Sequence, residues 1–238
     1  MKIFKPSIIL VRPQLPENIG MVARAMDNCG LENLVLVSPR ESWPNKIAIN
    51  SSSNSKKIIE KTKVYRSLED ALCNFNYVIA TSNRKRFLQK IHVGDYNSLF
   101  KKFPSHKKIA FVFGPENSGL SNEDLMLTDV IFNINTAKSN TSLNLSHAVV
   151  LMCFLWRDYF IIKNKKYNYD KNLKSLALKK DFLYFMKFLK KELEDTGFLY
   201  PKSKSKSMFQ NIQTMLSRAS LSKIEIQTLW GMIKKLRK

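Results

Sequence analysis

The sequence predicts an α/β domain with a largely parallel sheet, followed by an all-helical extension. Three observations carry this. Short apolar runs of strand length alternate with segments of helical spacing up to about residue 160. Beyond that point no convincing strand follows. The charge also changes there: residues 1–160 hold 21 basic and 13 acidic side chains, whereas residues 161–238 hold 19 and 6. The expected division is a domain at 1–162 and a basic helical extension at 163–238.

The elements follow in order. Residues 7–12 (SIILVR) read as a buried strand ended by Pro13 and Pro16. From Glu17 the spacing of Met21, Val22, Ala25, Met26 and Cys29 predicts an amphipathic helix closed by Gly30. Asn33 to Val37 is the next strand, and a less regular Ser/Asn-rich stretch runs to about residue 62. Ser67-Leu68-Glu69-Asp70 resembles a helix start, and Tyr77 to Ala80 is a strand. Residues 84–106 are mixed, with a basic knot at Arg84-Lys85-Arg86. Strands are expected at Ile109–Phe113 and Val130–Ile134, with a short capped helix at Ser121–Leu127 between them. A long apolar helix is expected from Ser142 to about Ile162. In the extension, a helix over Asn172–Thr196 ends at Gly197. Pro201 and the Lys/Ser alternation then form a connector to helices at about 207–219 and 221–236.

Composition narrows the function classes. The 238 residues carry a formal net charge of +21, with 44% hydrophobic and 11% aromatic side chains, which describes a folded chain rather than a basic disordered tail. The longest apolar run, Ala148 to Trp156, is far short of the roughly 20 residues that cross a membrane. Arg12 and Pro13 come too early for a signal-peptide core. Cys29, Cys73 and Cys153 sit among apolar residues and read as reduced thiols of a cytoplasmic protein; no Cys/His cluster suggests a metal. The surplus charge has two candidate sources: a polyanionic partner, or AT-rich codons that raise Lys, which outnumbers Arg 31 to 9. Its concentration in the extension favours the partner. The aromatics there, Phe182, Phe185 and Phe188, recur at helical spacing and read as core rather than as stacking platforms for bases.

The chain has only 7 glycines, and four of them mark two segments. The first is PENIGMVARAMDNCG (16–30), where Asn18 and Gly20 open a helix and Arg24 follows one turn on, off the apolar stripe. A helix N-terminus beside an arginine suits an anion; a surface arginine on an ordinary helix is the plain alternative. The second is VFGPENSGLSNED (112–124), a strand running into a Gly-bounded loop with Gly114 and Glu116, then a capped helix. Such a loop at the carboxyl end of a parallel strand is where α/β folds hold ligands, although a structural turn fits the same residues. It is neither a P-loop nor a dinucleotide fingerprint. The third is NTSLNLSHAV (140–149), in which Thr141, Ser142 and Asn144 crowd the mouth of the apolar helix. Ser142 alone would serve as an N-cap; three polar groups exceed what a cap needs.

In this order and setting, the three segments resemble the signature of the TrmH-like branch of the SPOUT RNA methyltransferases. That pattern is N-x-G-x-x-x-R-A, F-G-x-E-x-x-G-L and S-L-N-L-S-x-A-V. The VIATSNRKR and DTGFLYP stretches extend the likeness to members that methylate cytidine or uridine ribose in tRNA, over nearly the whole chain. The resemblance implies a SPOUT-type trefoil-knotted domain, S-adenosyl-L-methionine as methyl donor, a homodimer, and a 2'-hydroxyl at position 32 of the tRNA anticodon loop as target; the alternatives are the same chemistry at another tRNA position or in rRNA, or a SPOUT-like domain that binds RNA without turnover. It implies Arg24 as the key catalytic residue, assisted by Asn18, Glu116, Ser142 and Asn144. It also implies a cofactor cradle of Thr81, Ser82, Asn83, Gly114, Ile134, Thr141, Ser142, Leu143 and Asn144. For the extension it leaves two roles, docking RNA or completing the dimer.

Overall fold

The computed structural model describes residues 5–83, 90–101, 103, 107–137, 142–163 and 176–236. Their strands form one parallel sheet. In chain order these are β1 (Ser7–Val11), β2 (Leu34–Val37), β3 (Lys63–Tyr65), β4 (Tyr77–Thr81), β5 (Ile91–Val93), β6 (Ile109–Phe113) and β7 (Val130–Phe132). Their spatial order is β3-β2-β1-β6-β4-β7-β5, and every described pairing is parallel. The central strands are buried at every position and, Ser7 apart, apolar, because both faces are covered. Alternation then sorts the side chains. Ile8, Leu10, Leu36, Ile79, Phe111 and Phe113 face one helical layer; Ile9, Val11, Val37, Val78, Ala80 and Val112 face the other.

The first layer holds α1 (Pro16–Asn28), α2 (Lys46–Ser51), α3 (Lys56–Glu60), α5 (Tyr96–Lys101) and α7 (Leu145–Arg157). The second holds α4 (Leu68–Leu72) and α6 (Asn122–Met126). In α1 the buried stripe is Ile19, Val22, Ala23 and Met26, at the i, i+3, i+4, i+7 spacing of one helix face. Met21, expected in that stripe, is instead 41% exposed and shares the outer face with Glu17, Arg24 and Asn28. Gly20 lies where α1 meets α2: a Cβ there would run into Ser51 Oγ and the Ala48 carbonyl. Cys29 and Cys153 are buried thiols and Cys73 is half-buried, none in a disulfide. Burial pushes the Cys29 and Cys153 thiols up, which keeps them protonated and unreactive.

Several sequence expectations shift. The Ser/Asn-rich stretch contains α2 and α3, and the sheet has two further strands, β3 and β5, that no apolar run marks. Both strands are three residues long, stand at the two edges of the sheet and are mostly exposed, so they lack the apolar signature of a buried strand. α7 starts at Leu145 with Asn144 as its N-cap, not at Ser142, and widens into π-type turns over Asp158–Lys163. In the extension, α8 runs Lys179–Asp195, while Leu176 forms an extended bridge to Ser222. α9 begins at Lys202, directly after Pro201, so the Lys/Ser alternation is helix and not connector. Lysine is a good helix former, and the alternation hides this because it has no apolar period. α10 spans Lys223–Leu236.

The extension has its own core of Phe182, Phe185, Met186, Leu189 and Ile226, with Trp230 stacked on Phe188 at 4.5 Å. Buried polar contacts fasten it to the α/β domain. Lys179 Nζ meets Asp129 Oδ1 at 2.6 Å, and Asp129 Oδ2 accepts from Val78 N. Asn76 Nδ2 donates to the Leu176 carbonyl. From the other side, Lys90 Nζ donates to the Met126 and Thr128 carbonyls and to Ser217 Oγ of α9. Burial, and next the charge of Lys179, push the Lys90 ammonium down to about 7, against a smaller upward pull from Asp129. Between that value and the ordinary lysine range, the unfolded chain binds a proton that the folded chain releases. Stability should therefore rise from pH 7 to pH 8.5, by at most about 1.4 kcal/mol per pH unit. Urea unfolding across that window checks this, and the Lys90→Met variant should lose the rise.

Candidate functional site

Adjacent strands β1 and β6 send their following helices, α1 and α6, to opposite faces of the sheet. A crevice opens at their carboxyl ends, where α/β folds place ligands. The three sequence motifs meet there. Glu116, in the turn after β6, is the hub. Its Oε2 accepts from Gln14 N at 2.9 Å, and its Oε1 accepts from Leu15 N at 3.4 Å and from Asn18 Nδ2 at 2.8 Å. Asn18 is buried on α1, and its Oδ1 accepts from Asn144 Nδ2 at 3.1 Å. Asn144 Oδ1 then caps α7 by accepting from Ser146 N and Ser146 Oγ.

The chemistry of the first group fixes the rest. An ionised carboxylate only accepts, so Asn18 must turn its NH2 toward Glu116 and its oxygen toward Asn144. Asn144 must then present its NH2 to Asn18, which leaves its oxygen for the helix end. The anion beside the start of α1 is thus the protein's own Glu116, which occupies the position that the sequence offered to an external anion.

Beside this relay lies a cavity of about 620 Å³, of a size that takes a cofactor. Thr81, Ser82, Asn83, Gly114, Ile134, Ser142 and Leu143 line it, together with Glu116. The loops are tied to one another: Thr81 Oγ1 donates to the Val112 carbonyl, Asn133 Nδ2 to the Ser82 carbonyl and Asn83 Nδ2 to Thr136 Oγ1. Gly114 allows the GPENSG turn to fold back, since a Cβ there would strike Leu120 N and the Gly119 carbonyl carbon. Asn144 and Asn18 sit in the relay rather than in the cavity wall. Thr141 lies outside the described residues, as does the Arg84-Lys85-Arg86 knot. Arg24 is exposed on α1, makes no hydrogen bond or ion pair among the described residues, and is not part of the cavity wall.

The sequence reading missed Phe113, Pro115, Gly119, Leu145 and Ala148 as wall residues. Gly119, at φ +65°, was legible as the second glycine of the loop. Leu145 and Ala148 were hidden because apolar residues on an apolar helix carry no mark of which ones face a cavity. Among the described residues no cluster of three or more His, Cys, Asp or Glu could hold a metal.

Residues 5–154 match the SpoU rRNA Methylase family, well over half of the chain. The chain belongs to this family. Its SpoU methylase segment contains the whole relay and the cavity, and it ends within α7. Relatives extend the likeness through the helical tail. The "tRNA (cytidine/uridine/adenosine-2'-O-)-methyltransferase TrmJ" of Pseudomonas aeruginosa is 30% identical over 97% of this chain and 93% of its own length. An "Uncharacterized tRNA/rRNA methyltransferase" of Haemophilus influenzae is 31% identical over 97% of this chain and 94% of its own. Among solved structures, TrmJ from Z. mobilis ZM4 is 31% identical and covers 99% of this chain and 100% of that one, with a TM-score of 0.88. This SpoU methylase is therefore similar to the TrmJ proteins over both its α/β domain and its extension.

The relay makes a direct demand on Glu116. A Glu116→Gln change puts an NH2 where an acceptor is needed, so at least one of the three N–H donors loses its partner. This should cost about 1.5–3 kcal/mol of stability. It should also weaken cofactor binding in the adjoining cavity, and calorimetric unfolding together with a cofactor titration would measure both.

Proposed function

We propose that this protein transfers a methyl group from S-adenosyl-L-methionine to the 2'-hydroxyl of a cytidine or uridine ribose in tRNA, at position 32 of the anticodon loop. The observation that carries this is the meeting of the three motifs at one cavity, in a chain matched end to end by proteins named as tRNA 2'-O-methyltransferases. The target position rests on the sequence resemblance alone.

The cavity suits the cofactor. Apolar groups from Ile134, Leu143, Leu145 and Ala148 can sandwich an adenine, and the hydroxyl and amide groups of Thr81, Ser82 and Asn83 offer polar contacts. When bound, the cofactor supplies a sulfonium methyl with an activated leaving group. The protein then has to align the attacking oxygen and ease the loss of its proton. A guanidinium is a poor base, so Arg24's role in this reading is to hold the neighbouring phosphate and stabilise negative charge developing on the ribose oxygen. Asn18, Glu116, Ser142 and Asn144 shape the cavity around that oxygen. Glu116 is already committed to three N–H donors, which favours a positioning role and leaves the proton to a phosphate oxygen or water.

The reading includes a homodimer and a two-part chain, 1–162 and 163–238. Support for the dimer comes from the outer faces of the mutually packed α1 and α7. Met21, Val150, Leu151 and Phe154 are exposed on these helices, with Phe154 54% accessible. Support for RNA docking by the extension comes from its 19 basic against 6 acidic residues over 161–238. In the described residues no helix is long and apolar enough to cross a membrane.

Labelled methyl transfer to bulk tRNA, with mapping of the modified nucleotide, tests the function. Arg24→Ala should lower turnover by about a hundredfold or more while leaving the cofactor dissociation constant within about twofold. Loss of cofactor affinity with unchanged turnover at saturation would reject the role given to Arg24.

A further inference from the structure

The carboxyl edge of the sheet divides into two halves. The cavity stands over β4, β6 and β7; the ends of β1, β2 and β3 carry arginines instead. The chain has 9 arginines against 31 lysines, so arginine at successive strand ends runs against the composition. Arg12 follows β1, Arg40 lies three residues past β2, and Arg66 follows β3.

Backbone hydrogen bonds hold these ends side by side. Arg12 N donates to the Val37 carbonyl, and Ser38 N donates to the Tyr65 carbonyl. Ser38 Oγ donates to the Arg66 carbonyl, and Arg40 N returns to the Pro13 carbonyl. Arg12 (φ 49°) and Ser38 (φ 44°) are both in the left-handed region, a strained conformation for residues with side chains. Each turns its chain sharply at the end of its strand. At the spacing of paired strands the three ends span about 10 Å.

The guanidinium groups differ in what they already hold. Arg12 is paired with Asp124 of α6. Arg40 is 65% exposed and, among the described residues, is paired only with Glu41, at 4.0 Å, a surface contact that water and salt readily replace. Arg66 is exposed and its guanidinium has no partner among the described residues. The row begins two residues from Gln14, whose N–H is held by Glu116, so it runs up to the edge of the relay.

We propose that Arg40 and Arg66 form a phosphate track, backed by Arg12, that takes the ribose-phosphate backbone of the RNA beside the target nucleotide. Arginine suits this because its planar fork can bind a phosphate through two hydrogen bonds at once, whereas lysine acts as a point charge. The carboxyl ends of β1–β3 contribute no wall to the cavity, which fits a strand laid across them rather than a small molecule held within. This inference rests on the RNA-methylating reading.

The test uses the full chain and unmodified tRNA, with binding measured between 50 and 200 mM KCl. The unaltered protein is measured first: if it neither binds nor methylates tRNA, the proposed function fails. Given binding, Arg40→Gln/Arg66→Gln should weaken affinity about tenfold at the low-salt end and reduce the slope of log affinity against log salt by about 1 to 2. Its affinity for S-adenosyl-L-methionine should stay unchanged. Arg40→Lys/Arg66→Lys should keep the slope and lose part of the affinity. Lys5→Gln/Lys108→Gln, at the opposite edge of the sheet, should change neither. A double glutamine variant with the wild-type affinity and slope would overturn the track, as would an equal loss of slope in the lysine variant or in the opposite-edge control.

Discussion

One carboxylate sets the geometry of the whole reactive end. Glu116 accepts N–H groups from the chain entering α1 and from Asn18 on it, and through Asn18 it orients Asn144 at the mouth of α7. Residues 98 and 126 positions apart in sequence are thereby placed in one hydrogen-bond chain. Each amide can be oriented only one way, because the series starts at a group that cannot donate. A partly satisfied polar network destabilises a fold, whereas a fully satisfied one specifies a single arrangement. That is what a site needs if it must hold two substrates in line.

Such a relay leaves the cavity wall free to be plain. Among the described residues its lining is hydroxyls, amides, backbone and apolar groups, and the one charged side chain there, Glu116, faces inward to the protein's own N–H groups. Among the described residues, exposed charges lie away from that wall, for example on α1, along β1–β3 and on the extension. Separation of this kind lets a cationic cofactor and a polyanionic substrate be held by different surfaces without like charges crowding at the point of reaction.

How much of this was legible in sequence depends on burial. β1, β2, β4 and β6 are legible because strands covered on both faces are apolar almost throughout. β3 and β5 are not, since edge strands such as Lys63-Val64-Tyr65 need no such run. The sequence pattern singled out Asn18, Glu116 and Asn144 as polar residues at glycine-marked or helix-start positions. It could not show that they touch one another, because their contacts span most of the domain. Asn144 displaced Ser142 as the helix cap for a reason of the same kind: the cap had to be the residue whose other end met Asn18. The Lys/Ser run after Pro201 misled because helix propensity without an apolar face leaves no period to read.

The buried pair of Lys179 and Asp129 bears on modularity. By sequence, the family segment ends at residue 154 and the extension looks like an added module. By energetics, the two are not separable at that point. Asp129 sits at the foot of β7 and clamps the first N–H of β4's interior, and its countercharge comes from the first residue of α8. A chain that stopped after the family segment would leave that carboxylate without its countercharge and would take the Ser217 hydroxyl from the Lys90 ammonium. β4 and β7 carry the loops of Thr81–Asn83 and Ile134, so the added helices help to keep the floor of the cavity in register. An insertion or loss at this junction would be felt at the cavity as much as at the surface of the extension.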